Sequence, residues 1–540
     1  MRGAHQLLEE GQPVNDTPQP ANGTRRSARL AGMFVLPYFL LMVVWVASNP
    51  PGAAPDESDH LVKALGVGRL SIGSTYTGEA GNRLLAQRNA SISRVVTIPA
   101  RLAPDGYKCT AFKGDTSAKC LPERNNSASG TVQRVTPVGA YPPFLYLPAG
   151  VATLVAQTPV QAFVLARATY AVLTGLLLFA GAFQLVRWLG RWALLGSFVA
   201  LTPMAVFSGS VVSTSGVEIS AAFAVAATVV VVSRRPAVLG DGLSVVLLAV
   251  SAILLVLSRQ MGILTLGVLL LIMAARLGPT ALWRLLRRPS RLFAGWLLAL
   301  IVACGGVIWW ELTYDHPALT GSPLSAQGLR DMDIRLLSTT RSGIGNFGWL
   351  DTPLPQVALA VWVCMVVLVC GGALVLATKR DLWTLLTILG ACLVTAYVVY
   401  SVVFLPIRAG LQGRHMLPMF MLLPLLSGVV LVERLREGGL GAIIPRLFVI
   451  VAVVAGLVQA TSPYVNARRY AVGLEGPLWF SGHAQWAPPL GWTPWLLLAG
   501  LAAAALACFA TRCCRDAHAI DGDPHHEPPL VRSVTTSTSA

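Results

Sequence analysis

The stretch LAGMFVLPYFLLMVVWVA, Leu30–Ala47, is followed almost at once by Asn49-Pro50-Pro51-Gly52-Ala53-Ala54-Pro55-Asp56-Glu57-Ser58-Asp59-His60. The first run carries no charge and is long enough to cross a bilayer as one helix. Arg25, Arg26 and Arg29 precede it and hold its start on the cytosolic side. The second run therefore opens on the far side, with Asp56, Glu57, Asp59 and His60 crowded where a membrane helix hands over to water. Pro55 suits the first turn of a helix, and acidic residues there are favoured by the helix dipole. A helix starting at that point stacks Asp56 and His60 one turn apart, with Lys63 following. Ionised carboxylates at a helix start suit a general base or a cation ligand. The competing reading is a helix start that merely caps itself, with Asp59 a solvated bystander.

The rest of the composition agrees with a polytopic membrane protein. The chain has 540 residues, of which 54% are hydrophobic and 12% charged, and its mean hydropathy is +0.63. Soluble proteins carry about twice that charged fraction. The net charge of +16 does not call for nucleic acid, because the arginines sit in short loops between apolar spans. After Leu30–Ala47 we place spans at Val160–Val186, Trp192–Phe207, Val217–Val232, Leu243–Leu257, Met261–Ala275, Leu292–Leu312, Leu354–Ala377, Leu382–Leu405, Met416–Val432, Gly441–Ala460 and Trp495–Thr511. That is an all-α fold of about twelve membrane helices. Arg187, Arg191, Arg234, Arg235, Arg276, Lys379, Arg380, Arg434, Arg436, Arg512 and Arg515 all fall on one side, which makes both termini cytoplasmic. Residues 1–29 and 512–540 read as disordered tails around a membrane domain of residues 30–511. Residues 48–158 form a large first extracytoplasmic loop. Thr313–Pro353, Pro406–Gln412 and Thr461–Pro494 face the same side.

Within the large loop, Ser58–Leu70 reads as a short helix. Ser91–Thr136 carries β-branched runs and turns suited to a small subdomain. Cys109 and Cys120 are the only cysteines in this loop, and outside the cytosol they are expected to be bridged. Tyr141 lies in an aromatic, Pro-rich run that suits the headgroup layer. Three arginines are unexpected on this side. Arg259 separates two spans with almost no loop. Arg408 and Arg414, with His415, flank the outer ends of two more. Guanidinium groups bind phosphate oxygens bidentately, and snorkelling to headgroups is the bland alternative. Gly343–Pro353, with Trp349 and Asp351, is a Gly-rich outer loop suited to lining a sugar or lipid site. Walker A, His-Glu-x-x-His, Gly-x-Ser-x-Gly and Cys-x-x-Cys patterns are absent.

A set of motifs resembles a family of bacterial polytopic membrane proteins, domain-of-unknown-function family 2142. It comprises Asn49-Pro50-Pro51 with Pro55-Asp56-Glu57 and His60, Thr202-Pro203-Met204, and Ser258-Arg259 with Gly262. It continues with Phe347-Gly348-Trp349-Leu350-Asp351 and Pro355, and with Gln412-Gly413-Arg414 and Leu417-Pro418. Two positions depart from the pattern: Ser213-Thr214-Ser215 stands where an Asn-Pro pair is expected, and His415 where a Tyr is usual. The family in turn resembles the GT-C class of membrane glycosyltransferases, whose first outer loop carries an acidic base or cation ligand. That resemblance implies a GT-C-like fold and a polyprenyl-phosphate sugar as donor. It also implies transfer to an envelope glycan acceptor on the outer face of the bacterial plasma membrane. It maps that base or cation-binding role onto Asp56 and Glu57 as the catalytic residues, with a divalent cation near Asp56 as a candidate cofactor.

The topology independently puts every polar cluster on a side without nucleotide sugars, where a lipid-linked donor brings its own leaving group. Arg259, Arg408 and Arg414 then bind the donor phosphate, while His60, Trp349, Asp351 and Tyr141 line the substrate. Two rival classes stay open. One is a transporter or flippase for a lipid-linked or small polar envelope precursor, which would place charges along a path through the spans. The other is a non-catalytic scaffold.

Overall fold

In hydrocarbon an apolar segment can satisfy its own backbone only as a helix. The computed structural model, which describes residues 23–75, 93–122, 128–287, 291–313, 326–405 and 410–521, is accordingly an all-α bundle. Among the described residues nine helices are long and apolar enough to span a membrane. The pair Gly413–Phe420 and Leu422–Glu437, bent by 41° at a break, brings the count to ten when taken as one span. The first helix begins at Thr24, and the last, Thr493–Asp521, runs on into the segment expected to be a tail.

The other two expected spans exist in different forms. Gly242–Ser258 is an apolar helix of 17 residues, at the short end of what can cross a hydrocarbon core. Trp192–Phe207 is not one helix. Gly190, with φ 84°, ends the helix Pro159–Leu189, and the chain then runs through Arg191–Leu194, Leu195–Ala200 and Pro203–Ser208. The break falls where Thr202 caps Pro203, which has no N–H to continue a ladder. The carbonyl freed at Leu201 accepts from Gln459 Nε2 at 2.7 Å, so the interruption is satisfied inside protein. Gly196 and Gly428 let this segment touch the Leu422–Glu437 helix backbone to backbone. A Cβ on Gly196 would sit 2.0 Å from the Pro424 carbonyl oxygen.

The two ends of the bundle differ in chemistry. At one end the loop arginines are paired: Arg187 with Asp241 at 3.0 Å, and Arg234 and Arg276 with Asp381 at 2.9 and 3.1 Å. Arg234 also meets Glu433 at 3.0 Å, and Arg191 donates to the Cys513 carbonyl at 3.0 Å. Arginines expected on one side therefore do meet at one end. Aromatic edges fill the middle, with Phe34 against Phe198 and Phe509, then Trp45 against Phe207 and Phe347.

The first loop packs on the opposite end. Its helix runs from Glu57 to Val67. Strands β1 (Ser74–Thr75), β2 (Arg94–Pro99) and β3 (Thr131–Thr136) form an antiparallel sheet in that order. Gly66 meets Val96 of β2, where any Cβ would approach to 2.1 Å. Cys109 and Cys120 are bridged, with an S–S distance of 2.01 Å.

Candidate functional site

The turn Asn49–Asp56 is held from several sides. Gly52 takes φ 75°, and a Cβ there would lie 2.3 Å from the Tyr107 carbonyl oxygen. Arg167, on the Pro159–Leu189 helix, donates to the carbonyls of Asn49 and Pro50 at 2.6 and 2.8 Å. Trp349 Nε1 donates to Gly52 O at 2.9 Å, and Asn466 Nδ2 to Asn49 Oδ1 at 2.9 Å. With its ends fixed, the chain passes through Asp56 in the left-handed region, φ 59° and ψ 14°. A non-Gly residue there costs about 1–2 kcal/mol, a strain that clusters at functional sites. The half-buried Asp56 carboxylate makes no capping hydrogen bond to its own helix.

Glu57 is different. Its side chain is 0% exposed, and Arg167 Nε and Nη2 fill both oxygens at 2.7 and 2.6 Å. The Val212 N–H adds a third bond at 3.0 Å. Three of its roughly four acceptor positions are therefore taken up inside the protein. Asp59 is not solvated: it is buried and bonded to Lys108 at 2.7 Å. Burial pushes its carboxyl up against the opposing pull of Lys108.

One turn on, His60 and the Tyr146 hydroxyl are hydrogen-bonded at 2.6 Å, with the rings stacked. Burial, then the charges of Arg259 and Arg414, push His60 well below the usual imidazole range, so it is neutral near pH 7. Burial keeps Tyr146 protonated by raising its phenol well above the ordinary value. Tyr146, at the end of the Pro-rich aromatic run expected at the headgroup layer, is buried.

Two guanidinium groups converge here. Arg259, in extended backbone between the helices Gly242–Ser258 and Gln260–Leu277, donates to Ser215 Oγ at 3.0 Å and to the Tyr141 hydroxyl at 2.8 Å. Buried Glu218 lies within its electrostatic reach, with Oε1 unpartnered. Arg414 is 5% exposed, and its Nε is buried without a partner. Among the described residues it has no salt bridge, although Asp56 and Arg259 are near enough to act on it electrostatically. Its position is set by Gly413, which packs against the Gly343 backbone and donates to Ser342 Oγ at 2.9 Å. A buried, unpaired guanidinium is costly unless an anion completes it.

A model described as "Predicted membrane protein (DUF2142)" matches residues 39–423. The chain belongs to the DUF2142 family. No curated protein and no solved structure matches it. The family region holds the Asn49–Asp56 turn, Arg167, Arg259 and Arg414, whereas Asn466, Arg469 and Tyr470 support the turn from beyond it.

The expected site residues divide in two. Asp56, His60, Tyr141, Arg259 and Arg414 come together. Trp349 and Asp351 instead brace the turn: Trp349 is 5% exposed with its indole on Gly52, and Asp351 accepts from Arg469 at 3.1 Å. Arg408 lies outside the described residues. The loop Ser213-Thr214-Ser215 reaches the site through Ser215, whose Oγ accepts from Arg259. Two arginines were missed. Arg167 sits in a span whose single charge was the available signal. Arg469 donates to the Thr116 and Lys113 carbonyls at 2.6 and 2.7 Å, gripping the disulfide loop. No group of three His, Cys, Asp or Glu side chains gathers among the described residues, and the charge shown acting beside Asp56 is the Arg414 guanidinium.

Proposed function

We propose that this protein transfers a sugar from a polyprenyl-phosphate donor to a cell-envelope acceptor. The observation that carries the reading is Arg414. It is a buried guanidinium without a salt-bridge partner among the described residues, and both Arg259 and the half-buried carboxylate of Asp56 lie within its electrostatic reach. Two arginines at the end of an apolar bundle suit a phosphate on a lipid tail. Asp56 takes the proton of an acceptor hydroxyl. The hydroxyl oxygen bonds to the anomeric carbon as the bond from that carbon to the phosphate oxygen breaks. The electron pair leaves with the lipid phosphate, whose added charge Arg259 and Arg414 stabilise. Glu57 and Arg167 act as positioning residues that hold the strained turn. The one-sided loop arginines support an orientation with this end away from the cytoplasm, in a plasma membrane with both termini inside.

The test is lipid and glycan profiling of a deletion strain complemented with wild type or with Asp56→Asn. The expected result is a polyprenyl-phosphate sugar that accumulates in the deletion and in the variant and clears with wild type. An unchanged donor pool and unchanged envelope glycan, with the variant present at normal level, overturns the reading.

A further inference from the structure

At the end of the bundle remote from Asp56, a cleft of about 330 Å³ opens between three elements. Its inner wall is apolar, from Leu189, Ala193, Val429 and Val432, with Trp188 at the back. Its mouth carries Arg234, Arg235 and Arg436 against a single acid, Glu433. Arg234 spends Nε on Glu433 and Nη1 on Asp381, which leaves Nη2 buried and unpartnered. Arg235 and Arg436 are exposed and have no side-chain salt bridge among the described residues. The local balance is positive, and the free donors surround one opening.

The depth of this cleft matters. It lies where the Ser215–Arg234 and Leu422–Glu437 helices end, the level at which lipid phosphates sit. Basic pockets between membrane helices bind anionic headgroups, each cation contributing near the surface. The cleft volume fits a headgroup, and the apolar wall below fits the start of an acyl chain. We infer that this cleft is a binding site for the phosphate of an anionic phospholipid headgroup, separate from the Asp56 site. Arg234, whose Nη2 is buried and unpartnered, is the anchor, and Arg235 and Arg436 close over the phosphate from the rim.

The test uses the full-length protein in neutral detergent, read by native mass spectrometry. Phosphatidylglycerol, phosphatidylcholine and inorganic phosphate are added in separate arms. The double variant Arg235→Gln/Arg436→Gln is compared with Arg446→Gln, which removes an exposed arginine at the same end but outside the cleft. Wild type and Arg446→Gln are expected to retain phosphatidylglycerol over phosphatidylcholine, and the double variant to lose that retention by roughly tenfold or more. An unchanged melting temperature of the double variant shows that it is folded. Equal retention by all three proteins, or equal retention of the two lipids, overturns the inference. Binding of inorganic phosphate with no retained phosphatidylglycerol assigns the site to a soluble anion and overturns the lipid source.

Discussion

Arg167 and Glu57, 110 residues apart, meet as a bidentate pair at 2.7 and 2.6 Å with neither side chain more than 1% exposed. The pair ties the first loop to the second long helix. It also fixes the residue before it, Asp56, in a left-handed backbone. Removing one partner of a buried pair leaves an uncompensated charge. Glu57→Gln or Arg167→Gln should therefore destabilise by about 3–5 kcal/mol. The apolar double variant Glu57→Leu/Arg167→Met should cost less than either single change. Thermal unfolding in detergent reads both comparisons. Single variants within about 1 kcal/mol of wild type would show that the pair holds nothing in place.

Lys63 gives a pH signature. It is 0% exposed, donates to the Gly139 carbonyl at 2.6 Å, and lies 5.0 Å from the Trp310 ring centroid. Burial, with Arg94 adding to it, brings its ammonium down to about 7. The unfolded lysine keeps its proton to about 10.4. Between those values the unfolded state binds more protons, so stability rises with pH across that window and is flat below it. The gain is up to about 1.4 kcal/mol per pH unit for this one group. Unfolding measured from pH 6 to about 10 should show that slope in wild type and lose it in Lys63→Met. Identical slopes in the two proteins would refute the assignment.

The two site arginines should separate stability from function. Among the described residues Arg414 has no salt bridge to lose, so Arg414→Gln relieves a desolvated charge and should leave the melting temperature unchanged or raised. Transfer should still fall by about 10²–10³ in kcat if the group stabilises the leaving phosphate. Arg259→Gln should lose transfer and stability together, because it abandons Ser215, Tyr141 and the buried Glu218. A reconstituted transfer assay run beside thermal unfolding checks the contrast. Equal loss of stability in both variants would count against it.

Much of this was legible in the sequence for a physical reason. Apolar runs and one-sided arginines read out the bundle. Arg259 and Arg414 stood out because cations on the loop side have to be explained. What was hidden depends on partners distant in sequence. Glu57 read as a candidate base because nothing local announces Arg167 across 110 residues. Trp349 and Asp351 read as substrate lining because a Gly-rich aromatic loop looks alike whether it faces a ligand or braces a turn. The break at Thr202-Pro203 has no local signal of repair, because the Leu201 carbonyl is taken up by Gln459, 258 residues further on.

The placement of Arg414 depends on a glycine. A Cβ on Gly413 would stand 2.0 Å from the Gly343 nitrogen and 2.4 Å from the Thr339 carbonyl oxygen. Both obstacles are backbone, so they cannot rotate away. Gly413→Ala should therefore push the Gly413–Phe420 helix off the Ala326–Gly345 helix, at an overpacking cost of about 1–3 kcal/mol. The displaced guanidinium would no longer face Asp56, and transfer should fall toward the Arg414→Gln level. Gly390 is the matched control, since a Cβ there meets nothing within 4 Å. Gly390→Ala should leave transfer intact and stabilise its helix slightly, by up to about 1 kcal/mol. Wild-type transfer in Gly413→Ala would mean that the close approach of the two helices does not set the arginine.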